Sequence, residues 1–391
     1  MLTQTAALFL DAYRELNARK MFWVVLALSG LVVLAFAAAG INAQGITFLH
    51  WQIRAPIINT NLISRELFYK YLFSNFGVGF WLTWVGLALA LVSTASIVPD
   101  FVAGGSVDLY LCRPISRLRL FLTKYLTGLL FVGLQVCVFT AACFLVMGLR
   151  GGVWSPRTFL AIPLVLLVFS YLFAFCVLVG LLTRSTIAAV LLTTLFWLLI
   201  FGVDTGEKFT LRNTIAGDIE TAAYANQFGY NDKELALARQ RQADGDPTAA
   251  QEIQRVTTAR AALEEKKRTS DPGRQNFATM HRILYAAKTV LPKTSETNTL
   301  IDRWLDVGND IAINRAERRA DRRAATATAT GGGWFSRFKD RTEVSTDDPE
   351  VERQIGDRLR HRPTSWVLGT SLAFEAALLA LAAWLFCRRD F

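Results

Sequence analysis

The chain has 391 residues, of which 52% are hydrophobic, and a formal charge of +10, with a mean hydropathy of +0.31. Apolar residues at this level, gathered into long runs, exclude an ordinary soluble globular protein. The five cysteines include no CxxC pair, which argues against a zinc ribbon and offers no disulfide framework; they read as small apolar packing groups.

In chain order, residues 2–20 come first, "LTQTAALFLDAYRELNARK". Leu2, Ala6, Phe9, Tyr13 and Leu16 share one helical face, the pattern of a helix lying in a membrane interface. A plain extension of the following span has the same pattern. Apolar stretches then run over roughly 21–41, 76–98, 125–149, 158–183 and 186–203, and a last one over roughly 365–387. Each is near the ~20 residues that cross a bilayer as helix, and helices satisfy their own backbone inside lipid. The expected fold is therefore an all-α integral membrane protein with six transmembrane helices. "AAAGINAQ", after the first stretch, looks like a signal cleavage site. The apolar run before it is longer than a signal core, so an uncleaved anchor is expected.

The loop 42–75 mixes aromatic with polar residues, and short helices at the membrane surface are expected there. His50 has no second ligand at a metal-binding spacing. In the second span, Gly86, Ala90 and Thr94 recur every four residues, a small-residue stripe suited to close helix approach.

Residues 98–126, "VPDFVAGGSVDLYLCRPISRLRLFLTKYL", interrupt the apolar pattern. Gly104 and Gly105 predict a bend or a close backbone approach. Pro114 disfavours helix at Arg113, and Ser116 is placed as the N-cap of the third span. A helix–break–helix element joined to two spans has the geometry of a lever; an ordinary connector with a positive charge cluster has the same composition.

Residues 204–364 form a polar insertion with 27 Lys and Arg against 25 Asp and Glu, so it is nearly neutral. Helices are expected over 233–243, 248–268 and 296–324, with a turn at "QADGDPT" and a linker at "ATATATGGG". Segment 281–292 places Ile283, Leu284, Ala287, Val290 and Leu291 on one face, which suits either the membrane surface or a small core. Arg315, Arg318, Arg319, Arg322 and Arg323 fall on one helical face. That face suits anionic headgroups or an acidic partner, and equally a solvated helix laced by Glu317 and Asp321. In the last span Glu375 lies mid-way; an ionised carboxylate facing lipid costs a few kcal/mol, so it is expected to face the protein interior.

With the N-terminus inside, ten Lys and Arg flank the inner span ends against five in the short outer loops. This bias predicts both termini in the cytoplasm and the insertion outside. The positive charge thus speaks of membrane topology, not of nucleic acid. There is no GxxxxGK[ST] phosphate loop, no GxSxG and no HExxH, and the three histidines lie far apart. No catalytic, cofactor-binding or metal residue is assigned, and an enzyme is not expected.

"GGSVDLYLCRPISRLRLFLTKYL" resembles a pattern of the ATP-binding-cassette type-2 permease family: Gly-Thr-Leu, an acidic residue, two leucines, then Pro-(Ile/Val)-Ser-Arg. The segments "LLTRSTIAAVLLTTLFWLL", "TVLPKTSETNTL" and "LLALAAWLFCRRDF" look like that family too. The resemblance covers most of 1–203 and 280–391, but not 205–280 or 310–360. It implies a permease subunit of an exporter-type transporter in a bacterial inner membrane, paired with a second permease subunit, most simply as a homodimer. A separate ATPase subunit would bind ATP and magnesium. Residues 1–20 would form the interfacial helix, and 21–203 spans one to five with a coupling element at 99–124. Residues 365–391 would supply the sixth span and a cytoplasmic tail. The contact with the ATPase would fall on Asp100, Gly104, Gly105, Asp108, Arg113, Pro114 and Arg117. Family members carry glutamate before the Gly-Thr pair; Ala103 stands here and Ser106 replaces the threonine, leaving Asp100 or Asp108 as the nearby carboxylates. The competing expectation is a scaffold in which the ATPase moves the insertion to control an extracytoplasmic accessory protein. A sensor without an ATPase is the third.

Overall fold

A computed structural model describes residues 20–49, 51–54, 64–97, 99, 116–304 and 348–388. The expected interfacial helix, His50, the stretch 100–115, the arginine face at 315–323 and the linker after it lie outside the described residues. So do six of the seven coupling residues, Arg117 being the exception.

The fold is all-α and membrane-type. Among the described residues six helices are long and apolar enough to cross a membrane: α1 (Lys20–Ala38), α2 (Arg65–Thr94), α3 (Arg117–Gly151), α4 (Pro156–Thr183), α5 (Thr186–Ala243) and α9 (Thr364–Arg388). Between the last two run α6 (Ala249–Val290), α7 (Thr294–Trp304) and α8 (Pro349–Arg360). The described residues fall into two compact units. One is drawn from Met1–Phe201, Val290–Ala325 and Pro363–Phe391, the other from Gly202–Thr289 and Thr326–Arg362.

In the first unit α4 is the enclosed helix, with 83% of its most apolar window buried against 22–44% for the other five. It packs against α2, α3, α7 and α9. Its core face carries Phe169, Leu172 and Phe173, all with no exposure. The outer helices turn Leu31, Leu34, Ile187, Leu191 and Leu195 outward, as a bundle solvated by acyl chains permits. The small-residue stripe of α2 does face protein: Ala90 and Thr94 are each 1% exposed. Ser116 caps α3 by accepting from the Arg119 amide, as expected from its place after Pro114. Arg184 ends α4 in the left-handed region at φ 54°, its amide bonded to the Gly180 carbonyl.

Two expectations for the loop 42–75 need correction. Residues 39–54 fold as an antiparallel meander of β1 (Ala39–Asn42), β2 (Gly45–Phe48) and β3 (Trp51–Arg54), not as surface helices. Gly45, at φ 140°, enters β2 in a conformation that side-chain-bearing residues avoid. Ile46, Phe48 and Trp51 supply the β-branched and aromatic content that suits a pleated surface. Residues 65–75 then belong to the second span's own helix. Ser64 caps it by accepting from the Leu67 amide, and the helix winds more widely, with π-type bonding, across Phe73–Gly86.

The second unit is a helical hairpin with one added helix. α5 continues without a break past its apolar stretch, and α6 runs for 42 residues through Pro272. The separate helices expected at 233–243 and 248–268 are thus parts of longer ones. The turn between them sits where "QADGDPT" placed it: Gly245 takes φ 88°, and Asp246 accepts from the Thr248 amide and hydroxyl. α8 packs Val351 against Leu211 and Ile215 of α5.

Candidate functional site

Within the first unit, α9 carries Ser371 and, one turn on, Glu375 into the apolar bundle at 0% and 9% exposure. The Tyr125 hydroxyl of α3 donates to Glu375 Oε1 at 2.8 Å, and the Ser170 hydroxyl of α4 to Oε2 at 3.0 Å. Each hydroxyl also has a backbone carbonyl in reach: Ser170 O lies 3.3 Å from Tyr125, and Leu167 O 2.9 Å from the Ser170 hydroxyl. The Tyr125 ring stacks on Phe173, which in turn stacks on Phe169. A carboxyl group inside a bundle is thereby satisfied by two hydroxyls from two other spans, as burial of a polar group requires.

The polar helix α7 is seated against α2, α4 and α9. Just before it, Lys293 is 2% exposed. Its amide donates to Ser371 Oγ at 3.0 Å, and its ammonium lies 2.5 Å from Thr370 Oγ1 and 4.4 Å from the Trp366 ring centroid. Asn298 donates to Thr83 Oγ1 at 2.8 Å, joining α7 to the wide-wound part of α2. The fully buried Tyr171 hydroxyl of α4 faces Thr297 and Ser371 but makes no hydrogen bond of normal geometry with either.

The second unit holds a buried ionic cluster of its own. The Lys288 ammonium bridges Asp204 at 2.5 Å and Glu207 at 3.0 Å. The Arg362 guanidinium lies 2.5 Å from the other Glu207 oxygen, and Lys208 lies 2.7 Å from Asp204. Glu207 has no exposure. Burial alone would raise its pKa; the charges of Lys288 and Arg362 outweigh that and hold the carboxyl below the ordinary glutamate range. Asp204 is lowered in the same way, burial being outweighed by Lys288 and Lys208.

Of the two settings expected for segment 281–292, the membrane surface or a small core, the small core is not formed: its apolar face is turned mostly outward. Ile283 and Val290 are 59% and 70% exposed, while Lys288 is 4% exposed. Two carboxylates on α5 neutralise the lysine, so the buried side of α6 is set by charge pairing rather than by its apolar stripe.

Of the residues singled out from the sequence, Glu375 is interior as expected. Arg117, at the start of α3, donates to the Cys387 carbonyl at 3.3 Å, near the C-terminal end of α9. Tyr125, Ser170 and Lys293 were not singled out. Nor were Asp204 and Glu207, although two carboxylates three residues apart at the end of an apolar run are a readable signal.

Residues 66–206 match a protein family described as "Protein of unknown function (DUF2705)". No curated protein and no solved structure matches the chain. The match runs from the start of the second span to just past the apolar part of the fifth, and it names no activity.

Proposed function

We propose that this chain is the membrane-spanning permease subunit of an ATP-binding-cassette transporter of exporter type, driven by a separate ATPase. The observation that carries the reading is the stretch 98–126, with its Gly-Gly, Arg-Pro-Ile-Ser-Arg and basic run set between the second and third of six spans. The lack of a phosphate-loop motif fits a subunit that receives energy from a partner. In this reading Asp100, Gly104, Gly105, Asp108, Arg113, Pro114 and Arg117 meet the ATPase. Both termini lie in the cytoplasm of a bacterial inner-membrane protein, and two permease subunits pair, embedded in lipid.

The test is purification of the tagged chain in mild detergent, alone and with Arg113 and Arg117 changed to Glu. An ATP-binding-cassette ATPase is expected with the parent chain and lost from the variant. Its absence under conditions that keep the permease pair together removes the reading.

A second reading draws on the insertion. The hairpin of α5 and α6 is long; buried ion pairs join its helices at the Glu207 end and exposed pairs join them further along. Such a long hairpin suits an ATPase-driven scaffold acting on an extracytoplasmic partner. Deletion of 233–268 removes the end of α5, the turn and half of α6 while keeping Glu207 and Lys288. Transport survives that deletion if the chain is a simple permease, and function is lost if the hairpin is the output. An alkaline-phosphatase fusion near Gly332 reads out the side: activity is expected for an extracytoplasmic insertion.

A further inference from the structure

We propose that Glu375 is an intramembrane proton-binding site whose hydroxyl partners exchange acceptors when the proton arrives. Tyr125 and Ser170 bring one O–H each, and each has two acceptors in reach, a Glu375 oxygen and a backbone carbonyl. With Glu375 ionised, both hydroxyls donate to it, one to each oxygen. With Glu375 protonated on Oε1, the carboxylic acid donates to the Tyr125 oxygen, and the Tyr125 hydrogen turns to the Ser170 carbonyl. Ser170 then donates to Oε2 or to Leu167 O. One proton enters from water, no other atom is exchanged, and both Glu375 oxygens keep a partner while Ser170 stays on Oε2.

A merely structural glutamate needs one satisfied state; this cluster provides two without moving a helix. Tyr171 is the other polar group of α4 near this cluster. Its buried hydroxyl, with no hydrogen bond of its own, faces Ser371, one turn before Glu375 on α9, and Thr297 of α7. Lys293, just before α7, donates its amide to Ser371, α7 carries the buried Glu296, α3 brings Tyr125, α4 brings Tyr171, and α5 contributes the Phe196 ring against Phe374. Among described residues no basic side chain forms an ion pair with Glu375, so proton uptake is the means left to neutralise it. The proposal stands apart from the ATPase reading and survives that reading's failure.

The test is infrared difference spectroscopy of the full chain in lipid vesicles stepped between neutral and acidic pH. A carboxylic-acid carbonyl band is expected to grow on acidification, to be absent from Glu375→Gln, and to shift in frequency in Tyr125→Phe, which loses one hydrogen bond to the acid. Identical difference spectra for the parent and Glu375→Gln overturn the proposal. If Glu375→Gln does not fold, Tyr125→Phe and Ser170→Ala decide: a band that neither variant moves belongs to another group and overturns it equally.

Discussion

Arg362 reaches back across 155 residues of sequence to set its guanidinium 2.5 Å from Glu207, a carboxylate with no solvent exposure. Lys288 holds the second oxygen of the same carboxylate. Glu207 thus ties α5 to α6 and to the residue two positions ahead of the last span.

Removing that centre takes a buried carboxylate from both Arg362 and Lys288, the lysine keeping Asp204. Breaking a buried pair by deleting one partner costs about 3–5 kcal/mol. Glu207→Ala is therefore expected to lower the thermal midpoint of the purified protein by several degrees. Asp232→Ala, which removes an exposed partner of Arg260, is the control; surface pairs contribute about 0–1 kcal/mol. Equal shifts for the two variants contradict the clasp.

The same carboxylate has a pH signature. Its folded-state pKa lies below its unfolded one, so its contribution is present above the ordinary glutamate range and is lost as pH falls through the lower, folded value. The thermal midpoint of the parent is expected to drop on acidification more than that of Glu207→Gln. Parallel pH curves for the two proteins exclude the assignment.

How much of this was legible in the sequence differs from site to site. The spans were, because twenty apolar residues have few other destinations. The interior placement of Glu375 was, because lipid rejects its charge. Its partners were not: Tyr125 and Ser170 sit in apolar runs where a hydroxyl excites no suspicion, and they meet only through tertiary packing. Segment 281–292 shows the converse. Its apolar stripe was visible, but the carboxylates that bury Lys288 lie more than 80 residues away in sequence. The meander at 39–54 was missed because four-residue strands leave too short an alternation to distinguish from interfacial aromatic residues.

At Lys293 the ammonium meets Thr370 and the Trp366 ring. A desolvated cation over an indole contributes about 2 kcal/mol. Lys293→Met keeps the stem but loses both contacts, so hydrogen exchange over Thr294–Trp304 is expected to quicken by roughly tenfold or more, with other helices unchanged. Unaltered exchange in α7 shows that the helix is held without the lysine side chain, by the Asn298–Thr83 bond, the Lys293 amide and the buried Leu300 and Ile301.

Gly128 tests how α3 and α4 fit together. A methyl group placed on it would stand 2.5 Å from the Phe173 ring, whereas one on Gly133 would meet Leu166 at an ordinary 3.5 Å. Overpacking of this kind costs about 1–3 kcal/mol. Because Phe173 stacks on Tyr125, displacing that ring also moves the hydroxyl that serves Glu375. Gly128→Ala is expected to lower the thermal midpoint and to perturb the Glu375 carbonyl band, while Gly133→Ala does neither. A Gly128→Ala protein that is destabilised with an unchanged band separates packing from proton binding, and shows that the Tyr125 hydroxyl is positioned by its hydrogen bonds rather than by the aromatic stack.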